Sequence, residues 1–164
     1  MTLIGKEKEI LDFVKGKQEL KDHEQLECKI QAAELLKVCN FGGDYISVAL
    51  CHDLMEKRDV AEAELLKLVG EEALKAIKIV DARLNSNLGT GQYLEMVKEN
   101  KLANAAVTAT LACMLNMAAK ATKDVRDQLI FKSEKYYLKF VEETPGYLFV
   151  KESYDALKAS NNDF

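Results

Sequence analysis

The chain predicts an all-α fold, a single bundle of about eight helices, on three observations. Only one proline and eight glycines interrupt 164 residues. Apolar side chains recur at helical spacing through most of the length. Apolar residues make up 48% and charged ones 30%, the balance of a globular chain long enough to bury a core. No internal repeat and no second domain is visible, so residues 1–164 read as one unit.

Taken in order, Ile10, Leu11, Phe13 and Val14 give the first helix its apolar face, and Gly16 ends it. Glu24 to Val38 forms the second, with Leu26, Ile30, Ala33 and Leu36 in register. Phe41-Gly42-Gly43-Asp44 turns the chain, and Asp44 caps a third helix over Tyr45 to Arg58. Asp59 caps a short helix carrying Leu65, Leu66 and Val69, which Gly70 stops. Glu71 to Leu84 follows, with Ala73, Leu74, Ile77 and Val80 inward. Asn85 to Gly91 is the most loop-like stretch, suited to a segment over a site. Gln92 to Glu99 is a short helix, and Leu102 to Ala119 a long one nearly free of charge, as a helix packed on several sides would be. Lys123 to Glu143 is amphipathic, with Tyr136, Tyr137, Phe140 and Val141 as core. Pro145-Gly146 turns the chain into a last helix, Tyr147 to Lys158, whose Tyr147, Phe149 and Tyr154 fit either a core or an interface.

The totals restrict function. Net charge is −4, the isoelectric point is near 5.3 and no basic run occurs, which argues against sequence-independent binding to nucleic acid. A phosphate-bearing ligand needs a local cluster of Lys or Arg. The N-terminal MTLIGKEKEI has no secretory pattern. The Leu102–Ala119 stretch is broken by Asn104, Thr108, Thr110 and Asn116, which favours a buried helix over a membrane span. Cys28, Cys39, Cys51 and Cys113 contain no C-x-x-C pair, so the expectation is reduced thiols in a cytoplasmic protein.

One stretch carries chemistry. In YISVALCHDLMEKR, Tyr45 to Arg58, an imidazole and a carboxylate, His52 and Asp53, sit within an apolar helix, with Glu56 one turn on from His52. Ionisable groups on a buried helix need a partner. Either a metal ion supplies it, since both groups ligate divalent cations, or the pair lies at the solvent margin.

ALCHDLMEK (Ala49 to Lys57), AELLKLVGEEALKAIKIV (Ala63 to Val80) and YLEMVKENKLANAAVTATLACMLNM (Tyr93 to Met117) occur in one order. In that order they resemble the HD-domain metal phosphohydrolases, most of all the (p)ppGpp 3′-pyrophosphohydrolase domain of RelA/SpoT-type enzymes. The resemblance covers residues 21–117. It implies an HD-type helical bundle and four metal ligands: a His, the His-Asp pair and a distant Asp. The pair corresponds to His52 and Asp53. The first His corresponds to Cys28, in ECKIQAAELL (Glu27 to Leu36), and the last Asp to Cys113, in TLACMLNM (Thr110 to Met117). The Glu-Asp couple after the pair becomes Glu56 and Lys57.

Two of four ligands are thus thiols. Cys28, His52, Asp53 and Cys113 together would suit tetrahedral zinc rather than manganese or iron, and a closed tetrahedron leaves no water to attack. Without metal, the cysteines behave as small buried hydrophobes beside Met114 and Leu115. Lys57 then supplies the missing positive charge, pairing with Asp53 or Glu56.

Three readings stay open at this point. The first is an active metal phosphohydrolase with Glu56 orienting the water. The second is a module holding a nucleotide or other small anion without turnover, with Lys21, Lys57, Arg58 and Asn116 as contacts. The third is a helical structural domain with or without zinc. The second agrees best with the altered ligands, and oligomeric state is open.

Overall fold

A computed structural model describes residues 3–19 and 22–162. The described residues form helices joined by short turns and loops, with no strand among them. The helices are α1 (Lys6–Lys17), α2 (His23–Val38), α3 (Asp44–Cys51), α4 (Leu54–Lys57), α5 (Glu62–Val69) and α6 (Glu71–Asn85). They continue as α7 (Thr90–Lys98), α8 (Lys101–Met117), α9 (Lys123–Lys132), α10 (Leu138–Val141) and α11 (Tyr147–Asn162). Two of these, α4 and α10, are single turns, which leaves nine longer helices among the described residues.

The nearly charge-free α8 is the axis of the bundle. It packs against α2, α3, α6, α7 and α11, and Leu102, Ala106, Leu111, Ala112 and Leu115 are all buried. Asn100 starts it, its Oδ1 accepting the Ala103 N–H at 3.0 Å. By length and composition Lys101–Lys120, α8 with the helical turn after it, is apolar enough to cross a membrane. Its small side chains instead let neighbouring helices approach closely. Gly146 makes one such approach possible: a Cβ there would lie 2.6 Å from Thr108 Cγ2, so only glycine lets the start of α11 pass α8.

Two sequence-predicted helices are interrupted. The helix over 123–143 contains a π turn at Ser133–Tyr137 between α9 and α10, which redirects the side chains around it. Phe140 and Val141 are buried as expected, whereas Tyr136 and Tyr137 are half-buried. The helix over Tyr45 to Arg58 breaks at His52. Asp44 is the first residue of α3 rather than its cap, a place taken by Gly43 at φ 58°. On α11, Tyr154 is buried and donates to Glu134 at 2.7 Å, so it belongs to the core rather than to an exposed aromatic seam. Tyr147 and Phe149 also pack against the core.

Candidate functional site

Every residue of α3 from Ile46 to Cys51 is buried, and the helix stops where the first ionisable groups arrive. His52 is extended, at φ −61° and ψ 154°, and Asp53 is left-handed, at φ 64°. Asp is among the few residues that tolerate this conformation. Two long-range bonds hold it there. The Asp53 N–H donates to Asp81 Oδ1 on α6 at 2.7 Å, and Lys29 Nζ on α2 donates to Asp53 Oδ1 at 2.8 Å. The break corrects the expectation that Glu56 lies one helical turn from His52. Glu56 is on the surface and accepts from Asn85 Nδ2 at 3.0 Å.

Lys29 is the residue that sequence reasoning missed. Its side chain is 2% exposed and its ammonium donates to both the His52 carbonyl at 2.9 Å and Asp53 Oδ1 at 2.8 Å. It therefore takes the role expected of Lys57, whose Nζ is 4.0 Å from Asp53 Oδ2 on a more exposed side chain. The signal was present in the register. Lys29, Ala32, Ala33 and Leu36 are the buried positions of α2 and follow the i, i+3, i+4, i+7 rule.

Burial alone pushes the Asp53 carboxyl upward. The His52 ring and the Lys29 and Lys57 ammonium groups outweigh it and hold Asp53 below its ordinary value. At Asp81 the balance is reversed. Burial, with the Asp53 charge adding to it, outweighs the Asp53 N–H bond and the Arg83 and Lys29 charges and raises Asp81 to about 7. Its Oδ2 has no protein hydrogen-bond partner. The imidazole of His52 is buried, and burial followed by the Lys29 charge lowers it to about 3, so it is neutral at physiological pH. Its Nδ1 lies 3.5 Å from Asp53 Oδ2, and neither ring nitrogen has a protein hydrogen-bond partner.

The two thiols lie close to each other, and Cys28 also lines a cavity with the His-Asp pair. Cys28 on α2 and Cys113 on α8 interact through their thiols, which lowers Cys28 and, with burial, raises Cys113. Among the described residues no group of three or more His, Cys, Asp or Glu side chains is arranged to hold a metal ion. The four-ligand shell of Cys28, His52, Asp53 and Cys113 is therefore corrected. Asp53 is already bound to an ammonium group and the four side chains do not converge on one point, so the residues present do not fit a zinc, manganese or iron centre.

The expected anion contacts are also dispersed. Arg58 is engaged in an ion pair with Asp22, and Asn116 is exposed on the far side of α8, in cavities that His52 does not line. Lys21 lies outside the described residues. Lys57 is the one described member of that group beside the His-Asp pair.

Two cavities meet at His52. One, of about 380 Å³, runs past Cys28, Lys29, Asp53 and Lys57 between α2 and α9. The other, of about 370 Å³, is lined by Arg83 of α6, Thr90 and Tyr93 of α7, and Lys132 and Tyr137 around the π turn. His52, Arg83, Thr110 and Met114 line both. Met114 is thus partly exposed at this junction, whereas Leu115 is buried. Tyr93 donates to the Val80 carbonyl at 2.7 Å, Arg83 lies beside its hydroxyl, and burial pushes that hydroxyl up to about 12. Comparisons with protein families, with curated proteins and with solved structures give no match for this chain.

Proposed function

We propose that this chain is a divergent HD-domain protein in which a lysine has replaced the metal, and that it binds a small anionic ligand without metal-dependent hydrolysis. The observation that carries this reading is the Lys29 ammonium, 2.8 Å from the carboxylate of the His-Asp pair and buried with it. A single fixed positive charge satisfies Asp53 in the way a cation would, but it brings no bound water and no open coordination position. The activation of water that a metal supplies is then lost.

The remaining side chains do not replace that chemistry. Asp53 is held by Lys29, Glu56 is on the surface, and Asp81, whose raised affinity for protons suits a base, lines neither cavity. The meeting of Cys28 with Cys113 supports the same reading, because the resemblance assigns both to positions vacated by metal ligands. What stays available at this place is recognition: cationic and hydroxyl side chains around a ligand-sized space.

The test is metal dependence. Purified protein titrated calorimetrically with Mn²⁺ or Zn²⁺ is expected to give no saturable heat at micromolar concentration, and (p)ppGpp with Mn²⁺ is expected to persist at the uncatalysed rate. Manganese-dependent release of pyrophosphate that vanishes in both His52→Ala and Asp53→Ala would overturn the reading.

A further inference from the structure

We infer that the cavity between α6, α7 and the π turn is a binding site for an amphiphilic organic anion: a compact acidic head group, carboxylate or phosphate, on an apolar or aromatic body. The inference rests on the metal-free reading above and assigns the ligand class and its location.

Three observations carry it. First, the cavity has two cationic side chains, Arg83 and Lys132, and no carboxylate among its lining residues. Neither cation forms an ion pair among the described residues, although Arg83 lies beside the Tyr93 hydroxyl. Unpaired guanidinium and ammonium groups converging on one space favour an anion, and the guanidinium fork matches the planar or tetrahedral oxygens of either head group.

Second, the His52 ring lines the same space, and both its nitrogens are buried behind the wall without a protein hydrogen-bond partner. A neutral imidazole carries one donor and one acceptor, and leaving both unmade in the interior is costly. A ligand bearing hydroxyl or acidic oxygens fills that need once the ring turns a nitrogen toward the cavity. Third, the rest of the wall is apolar or aromatic, including Val80, Leu94, Leu111 and the ring of Tyr137, so the space does not suit a small hydrated ion alone. At about 370 Å³ it lies within the range of small-molecule sites.

The full chain contains only two histidines, and His23 is exposed at the start of α2, so the ring signals of ¹⁵N-labelled protein report His52 separately. The probes are phenylacetate, phenyl phosphate, the neutral analogue benzyl alcohol, and inorganic phosphate. At least one aromatic anion is expected to bind at least tenfold more tightly than benzyl alcohol and inorganic phosphate, and to shift the His52 ring signals but not those of His23. The tighter of the two anions assigns the head group. Arg83→Ala/Lys132→Ala, two changes on exposed side chains, is expected to weaken that binding at least tenfold while the circular dichroism spectrum is retained.

Benzyl alcohol binding as tightly as the anions would overturn the inference, as would binding that leaves His52 unmoved or survives the double substitution. Failure of all four probes at millimolar concentration would also overturn it. That result would leave the metal-free reading standing, because the reading falls only to manganese-dependent turnover.

Discussion

The two cavities that meet at His52 are nearly equal in volume and share four side chains, yet they differ in what their charges are doing. In the cavity between α2 and α9, the lysine is committed: Lys29 is clamped by Asp53 and the His52 carbonyl, and Lys57 stands 4.0 Å from the same carboxylate. In the cavity between α6, α7 and the π turn, Arg83 and Lys132 line a wall that contains no carboxylate, and neither is ion-paired among the described residues. A census of basic residues does not distinguish the two. What distinguishes them is whether the protein has already supplied the counter-charge, since a paired cation maintains the fold and an unpaired one is free to recognise a ligand.

The most severe way to break the contrast is to remove the committed charge. Lys29→Met leaves Asp53 buried without its cation, and is expected to cost about 3–5 kcal/mol in urea denaturation at pH 7. Combining it with Asp53→Asn is expected to recover part of that loss, because the uncompensated charge is then gone. A double variant as unstable as Lys29→Met alone would mean that packing of the lysine stem, not charge pairing, dominates the site.

The next largest effect is on pH dependence. His52 is lowered to about 3 in the folded state, so between that value and its ordinary 6.5 the unfolded chain binds the extra proton and stability rises with pH. Asp81 is raised to about 7, so between its ordinary 3.8 and that value the folded chain binds the extra proton and stability falls with pH. The two slopes oppose each other from roughly pH 4 to 6.5. Removing one should unmask the other, at up to about 1.4 kcal/mol per pH unit. His52→Gln is expected to lose stability as pH rises through this window, and Asp81→Asn to gain it. Parallel urea-denaturation curves for the two variants would refute the assignment.

The thiols sharpen the comparison on its committed side. Cys28 lines the α2–α9 cavity and is held below its ordinary value by the Cys113 thiol, whereas burial raises Cys39, and raises Cys51 to about 12. Iodoacetamide labelling followed by peptide mass spectrometry is therefore expected to modify Cys28 before Cys39 or Cys51, and Cys113→Ala to slow it. Labelling of Cys51 first would contradict this ordering. The smallest effect belongs to the uncommitted charges. Arg83→Ala and Lys132→Ala should each change stability by less than about 0.5 kcal/mol, because neither is tied to a carboxylate. A loss of several kcal/mol at Arg83 would mean that its contact with Tyr93 supports the core.

Much of the bundle was legible in the residues. The starts and ends of α2, α6 and α8 fall within one or two positions of those read from apolar spacing, and Gly70 separates α5 from α6 as expected. The site was legible only in part. His52 and Asp53 stood out because ionisable groups in an apolar stretch are unusual. Lys29 and Asp81 did not stand out, although each lies at an inward register position of its helix, because a single charge on an amphipathic helix is ordinarily solvated and its buried partner is far away in sequence. Arg83, Lys132 and Tyr137 carried no local signal, since a basic residue at a helix end or an aromatic on an amphipathic helix has many ordinary uses.

Composition and period by themselves determined that this protein is helical, and broadly which face of each helix is buried, because those properties depend on residues within a few turns of one another. Only tertiary structure decided which cation meets Asp53, why α3 ends at His52, and where unpaired positive charge gathers. The bonds responsible join residues 24 and 28 positions apart, and helical spacing fixes the direction a side chain points without fixing what it finds there.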